Sequence, residues 1–234
     1  MSLQDGDVVR FDYTLWIQGE KTPLETSMED VAKAQGIHRA DKAYRPLTVA
    51  IGQRQILPAL ERHLRDHAEP GKALSVDLPA AEAYGERDPA KIKDVPMAQF
   101  RKQKIDPKPG MELNFQGQRG VVTRVAGGRI RVDLNHDLAG KALRYEYTLR
   151  AVISDEQEKV QAILDGLFVQ GTPKVEFRDG QVVVEVPDQA KFDREWPMHK
   201  FRIIAELRAA TGEARDIVLQ ETYPARPQAS SEEE

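Results

Sequence analysis

The chain has 234 residues, with 34 Lys and Arg against 38 Asp and Glu for a net charge of −4, 40% apolar side chains and no cysteine. That length predicts two or three modest domains, each able to bury a core. The missing thiols exclude disulfides, thiolate catalysis and cysteine-ligated metal, and the mixed charge argues against the basic excess of a dedicated nucleic-acid protein.

The N-terminus, MSLQDGDVVRFDY, lacks the blocks of a signal peptide, and no apolar run approaches the roughly 18 residues of a membrane span. The expectation is a soluble, cytoplasmic protein with no membrane partner. Asp7 to Ile17 alternates with period two and predicts a strand. Met28 to Gly36 suits one or two helical turns, and Arg45 to Gly52 suits a second strand. Ile56 to His67 places Ile56, Leu57, Leu60 and Leu64 at helical spacing, with Pro58 tolerable only near the start. Gly71 to Pro79 predicts a strand that ends in AEAYG.

From Asp88 the texture changes to prolines and a basic run, followed by the short strands MELNF, GVVTRV and RIRVDL between Gly-rich turns. Such spacing predicts a small β unit. After NHDLAGK, ALRYEYTLRAVIS returns to the composition of the first segment, so the β unit reads as an insertion. Glu156 to Phe168 has the spacing of an amphipathic helix; KVEF, QVVVEVP, KFRIIAELRA and RDIVLQETY read as strands, with a turn at DGQ. The predicted class is α+β, with segments 1–87 and 138–154 forming one domain, 88–137 the insert, 155–226 a C-terminal domain and 227–234 a disordered tail.

In this order GDVVRFDYTL, PLETS, LTVAIG, ILPALERHL, LSVDLPAAEAYGERDP and VDLNHDLAGKALRYEYTL resemble an FKBP-type peptidyl-prolyl cis-trans isomerase with an inserted flap domain, of the SlyD-like kind and the long archaeal FKBPs. AYG followed by NHDLAGKALRYEY is the specific part, because it marks where an insert leaves and re-enters. The resemblance implies an antiparallel half-barrel wrapped on a short helix, with an all-β insert and a C-terminal α+β domain. It implies an apolar basin for proline containing Tyr13, Glu25, Leu47, Ile56, Leu57, Leu60, Tyr84 and Tyr145. Ile56 and Leu57 would open the helix, with a backbone N–H of Leu57 as donor and Tyr84 giving a hydroxyl to the substrate carbonyl. Tyr13 and Tyr145 would form ring walls. By the residues alone, Tyr13 and Tyr145 are core positions on alternating strands, whereas Tyr84 stands in a loop beside Gly85, where function concentrates.

The insert is expected to hold unfolded, proline-containing chains with Val95, Met97, Phe100, Ile105, Met111, Leu113 and Phe115, residues that its own small core also needs. His63 and His67 are four apart on a helix but lack a third ligand and read as a solvated face; no metal and no cofactor is expected. The joint NHDLAGK reads as a hinge, with Asn135 and Asp137 suited to turn bonding, Gly140 to a bend and His136 to a fixed contact. Competing readings are a holdase or interaction scaffold without catalysis, and an RNA-associated β module. The C-terminal domain is assigned by default to dimerisation or to extra chaperone surface.

Overall fold

The computed structural model describes residues 3–102, 104–168, 171–211 and 215–223; the tail expected at 227–234 lies outside the described residues. In chain order the elements begin with β1 (Val8–Ile17), β2 (Glu25–Thr26), α1 (Glu29–Ala34), β3 (Leu47–Ala50), α2 (Pro58–His67) and β4 (Ala73–Leu78). There follow β5 (Ile92–Pro96), α3 (Met97–Lys102), β6 (Glu112–Phe115), β7 (Gln118–Ala126), β8 (Arg129–Asp133) and β9 (Leu143–Ile153). The last are α4 (Glu156–Leu167), β10 (Lys174–Arg178), β11 (Gln181–Glu185), α5 (Asp188–Lys191), α6 (Trp196–Thr211) and β12 (Ile217–Gln220). The chain divides into two compact units. One holds the described residues of Met1–Trp16, Lys21–Val76 and Tyr145–Glu234, the other Ile17–Glu20 and Asp77–Arg144.

In the first unit the sheet runs β2-β1-β9-β4, with β3 also paired to β1. Its period-two alternation puts Val9, Phe11 and Leu15 of β1 on the same buried face as Tyr145, Tyr147 and Leu149 of β9. Helix α2 buries Ala59, Leu60 and Leu64 and starts at Pro58, whose missing N–H suits a first helical position. Ile56 and Leu57 therefore precede the helix instead of opening it.

The C-terminal elements share a core with this sheet. Val8, Ala50 and Ile153 pack in one cluster with Val160, Ile163 and Leu164 of α4 and with Val182 and Val184 of β11. Asp155 caps α4 by accepting from the Glu158 N–H at 2.9 Å. β10 and β11 pair antiparallel through a turn in which Asp179 (φ 48°) and Gly180 (φ 79°) are both left-handed, as a two-residue hairpin requires. β11 and β12 pair in parallel, which needs a long crossover. That crossover contains α6, so KFRIIAELRA is helical and not a strand. Its buried Trp196, Ile203 and Leu207 recur at helical spacing, which outweighs the β-branched Ile203-Ile204 pair.

The second unit carries the antiparallel sheet β5-β8-β7-β6 with the short helix α3. Val95, Phe100, Val122, Ile130 and Val132 are its core. Gly120 is required by close packing, since a Cβ there would stand 2.6 Å from Leu134 Cδ2 and 2.7 Å from Val132 Cγ1.

Candidate functional site

An aromatic row lines the inner face of the first sheet. Tyr13 and Tyr145 have ring centroids 6.1 Å apart, and Phe11 lies 6.2 Å from both Tyr13 and Tyr147. Leu47 is half-buried opposite Phe11 in the β1–β3 register, and Leu60 is buried on α2.

The backbone of Tyr13 is held by the strand beside it. Its N–H donates to Ser27 Oγ (3.0 Å), and its carbonyl accepts from Thr26 Oγ1 (2.9 Å) and the Ser27 N–H (3.0 Å). Ser27 Oγ in turn donates to Asp12 Oδ1 (2.9 Å), while Arg150 Nε donates to Asp12 Oδ2 (2.6 Å). Period-two geometry explains this division: Tyr13 faces the aromatic row while Asp12 and Thr14 face the polar cluster that fixes β2.

Glu25 receives a 2.6 Å hydrogen bond from Lys42 Nζ, which itself lies 5.5 Å from the Tyr44 ring centroid. Sequence reading missed Lys42, because a lysine in an irregular segment carries no periodic signal. At the foot of α2, Leu57 adopts φ −57° and ψ 132°, and among the described residues its N–H has no acceptor. Both Ile56 and Leu57 are half-buried.

His63 does not stand on a merely solvated face. Its Nδ1 lies 2.8 Å from the hydroxyl of buried Tyr147, and its ring stacks on His67 at 4.5 Å. Burial pushes the Tyr147 phenol up to about 12, so it stays protonated, and the tautomer of His63 sets which of the two groups donates. Burial, and next the charge of His67, hold the His63 imidazole below its usual value. The residue that ties α2 to β9 is thus one that helical spacing alone assigned to solvent. Among the described residues no group of three or more His, Asp or Glu could hold a metal.

Tyr84 belongs to the second unit. One 3-10 turn, Ala80–Glu82, separates it from β4, so the strand does not run directly into AEAYG as expected. Gly85 follows with φ +80°, and its N–H donates to the Ala80 carbonyl at 2.8 Å. The Tyr84 ring is 39% exposed and lies flat against His136, centroids 4.1 Å apart and planes 3° from parallel. Among the described residues its hydroxyl has no hydrogen-bond partner.

The joint NHDLAGK is bonded to the segment that follows Tyr84. The Gly140 N–H donates to the Gly85 carbonyl (2.8 Å), and Asn135 accepts from the Asp88 N–H (2.9 Å) while donating to its carbonyl (3.0 Å). Arg87 pairs with the buried Asp133. Gly140, at φ +76°, has Arg87 Cβ only 3.3 Å from where its own Cβ would stand. Outgoing and returning chains are therefore cross-braced.

On the insert, Met111 is exposed, Met97, Ile105, Leu113 and Phe115 are half-buried against the core, and Val95 and Phe100 are interior. Expecting Val95 and Phe100 on a substrate face is corrected here, because so small a domain needs them for its own fold. Two of the insert's arginines are engaged internally, Arg131 with Asp94 at 2.9 Å and Arg119 with Glu112 (2.6 Å) and Asp137 (2.8 Å). These pairs hold the Asp94 and Glu112 carboxyls below their ordinary values. That leaves Arg119 and Arg131 less available to phosphates than the RNA reading needs. Among the described residues no helix is long and apolar enough to cross a membrane.

Comparison with known proteins accounts for this arrangement. The profile of the FKBP-type peptidyl-prolyl cis-trans isomerase matches residues 1–101, that of the FKBP26 IF domain residues 93–138, and that of the FKBP26 C-terminal domain residues 156–224. A short-type peptidyl-prolyl cis-trans isomerase of Methanocaldococcus jannaschii is 30% identical over 156 residues, 67% of this chain and 98% of the relative. An FKBP-type isomerase SlyD of Treponema pallidum is 34% identical over 121 residues, 48% of this chain and 65% of the relative. A probable FKBP-type 16 kDa isomerase of Pseudomonas fluorescens is 31% identical over 111 residues, 45% of this chain and 71% of the relative. On these matches the chain belongs to the FKBP-type peptidyl-prolyl cis-trans isomerase family.

Proposed function

We propose that the protein is a cytoplasmic peptidyl-prolyl cis-trans isomerase that speeds Xaa-Pro isomerisation in unfolded or partly folded polypeptides. Resonance gives that bond a barrier of about 18–20 kcal/mol, and rotation breaks no bond. The catalyst needs a site that favours a twisted, less polar amide over a planar one. Apolar walls do this by withholding solvent from the planar form. Tyr13, Tyr145, Leu47 and Leu60 are assigned to those walls, with Glu25 held by Lys42 at their margin. The Leu57 N–H and the Tyr84 hydroxyl are assigned to the substrate's carbonyl groups. The observation that carries the reading is the Leu57 N–H, left without an acceptor among the described residues next to a proline-started helix. An amide donor at a half-buried helix start is open to an acceptor from outside the chain, water in the free protein and a substrate carbonyl in the complex.

The insert is assigned to capture, with Met111, Met97, Ile105, Leu113 and Phe115 offering adaptable apolar contacts. A weak, sequence-tolerant site on the same chain raises the local concentration of prolyl bonds, to the millimolar range for short tethers. A second copy of the chain is the partner assigned to Phe192, Met198 and Phe201 of the C-terminal elements, which are 78%, 71% and 73% exposed.

The test is isomerisation of a short Xaa-Pro peptide and of a proline-limited refolding protein, by wild type and by a variant with 88–137 replaced by a short loop. Acceleration of both by wild type is expected, with the deletion hurting refolding far more than the peptide. A wild-type peptide rate equal to buffer refutes catalysis; equal losses on both substrates refute capture.

A further inference from the structure

We infer that His136, in the returning joint, is a positioning residue for Tyr84. The inference rests on the assignment of the Tyr84 hydroxyl to the substrate carbonyl. Tyr84 is 39% exposed and sits between a 3-10 turn and a left-handed glycine, so the packing of a core does not fix its ring. What it has is the flat face of His136, 4.1 Å away and within 3° of parallel.

A histidine that was itself free would fix nothing. His136 is tied through two of its own groups and, further, through its neighbours in the joint. The Leu138 N–H donates to its Nδ1 at 3.1 Å, which holds the neutral ring in the tautomer protonated at Nε2. Its carbonyl accepts from the Ala139 N–H at 2.9 Å. Its neighbour Asn135 grips both backbone groups of Asp88, and four residues on, Gly140 bonds to the carbonyl of Gly85, the residue directly after Tyr84. The histidine face is therefore referenced to the same stretch of backbone that carries the tyrosine. A parallel stack resists tilting of one ring against the other, so it limits the rotation that would swing the phenol ring out of its plane and carry the oxygen away. A hydroxyl that must meet a carbonyl in a twisted transition state is sensitive to displacements of about 1 Å.

The experiment is a cycle of peptide isomerisation on the full chain with wild type, Tyr84→Phe, His136→Asn and the double variant, with His136→Phe alongside. Asparagine keeps an acceptor for the Leu138 N–H and removes the ring; phenylalanine keeps the ring and removes the acceptor. The worth of an aromatic pair predicts that His136→Asn lowers kcat about 3- to 10-fold with KM little changed, and that His136→Phe restores most of it. In the Tyr84→Phe background, His136→Asn should have less than about a twofold further effect. The ring protons of Tyr84 should lose their stacking shift in His136→Asn and keep one in His136→Phe. If Tyr84→Phe slows the reaction while His136→Asn does not, or if the two losses multiply, the positioning role is overturned and the assignment of Tyr84 stands. If Tyr84→Phe runs at the wild-type rate, the hydroxyl assignment itself fails, and the positioning role with it.

Discussion

Substituting Asp12 by Asn tests whether the polar cluster behind Tyr13 stabilises the first sheet. The carboxylate is 7% exposed and accepts from Ser27 Oγ at 2.9 Å and from Arg150 Nε at 2.6 Å. Asn can still accept from Ser27, but towards Arg150 it sets donor against donor or loses the charge. A hydrogen bond to a charged group contributes about 1.5–3 kcal/mol. The Arg150 side chain is half exposed at 51%, so it regains water when released, and the low end of that range applies. Asp12→Asn should therefore cost about 1.5–2 kcal/mol. Asp12→Ala should cost a further 1 kcal/mol or so, because the hydroxyl of Ser27, itself only 5% exposed, loses its acceptor. For a unit of this size each kcal/mol lowers the thermal midpoint by about 2–4 °C. Scanning calorimetry should show the transition of the first unit fall by about 3–8 °C in Asp12→Asn and further in Asp12→Ala. A midpoint within 1 °C of wild type in Asp12→Asn, or an alanine variant no worse than the asparagine one, would refute the reasoning.

Acid should weaken the fold through His63. Its imidazole is held below the usual value by burial and then by His67, so the folded state resists its protonation while the unfolded chain does not. That contribution is complete above the unfolded value of about 6.5 and is lost as pH falls from there towards the lowered folded value, at no more than about 1.4 kcal/mol per pH unit. The midpoint difference between pH 7.5 and 5.5 should shrink in His63→Gln, and an unchanged difference counts against the assignment. Gly120→Ala should loosen the insert, since its Cβ would press on Leu134 and Val132. Overpacking of this kind costs about 1–3 kcal/mol, so amide exchange in β7 and β8 should quicken about 5- to 150-fold. Unaltered exchange would mean that those two side chains give way freely.

What the sequence disclosed follows from where the controlling physics is local. Alternation in DVVRFDYTLWI and the 3.6 spacing of ILPALERHL survive into β1 and α2 because each buries one face. The change of texture at Asp88 and the return at ALRYEY were readable because short strands between Gly-rich turns there replace the longer alternating strands on either side. KFRIIAELRA misled because its two isoleucines favour strands locally, while the helical spacing of Trp196, Ile203 and Leu207 becomes visible only over a window wider than the run itself. The links that shape the site were the least legible. Lys42 to Glu25, His63 to Tyr147 and Arg150 to Asp12 join residues 17, 84 and 138 positions apart, and no local pattern pairs any of them. NHDLAGK lies between these cases. Its turn-forming residues were readable one by one, but their arrangement is set by a second segment, YGERD, whose Gly85 carbonyl and Asp88 backbone groups they bind. A joint of two or three residues could turn the chain back but could not span those groups and also present a ring to Tyr84. Seven residues are needed because the joint braces the two chains it connects.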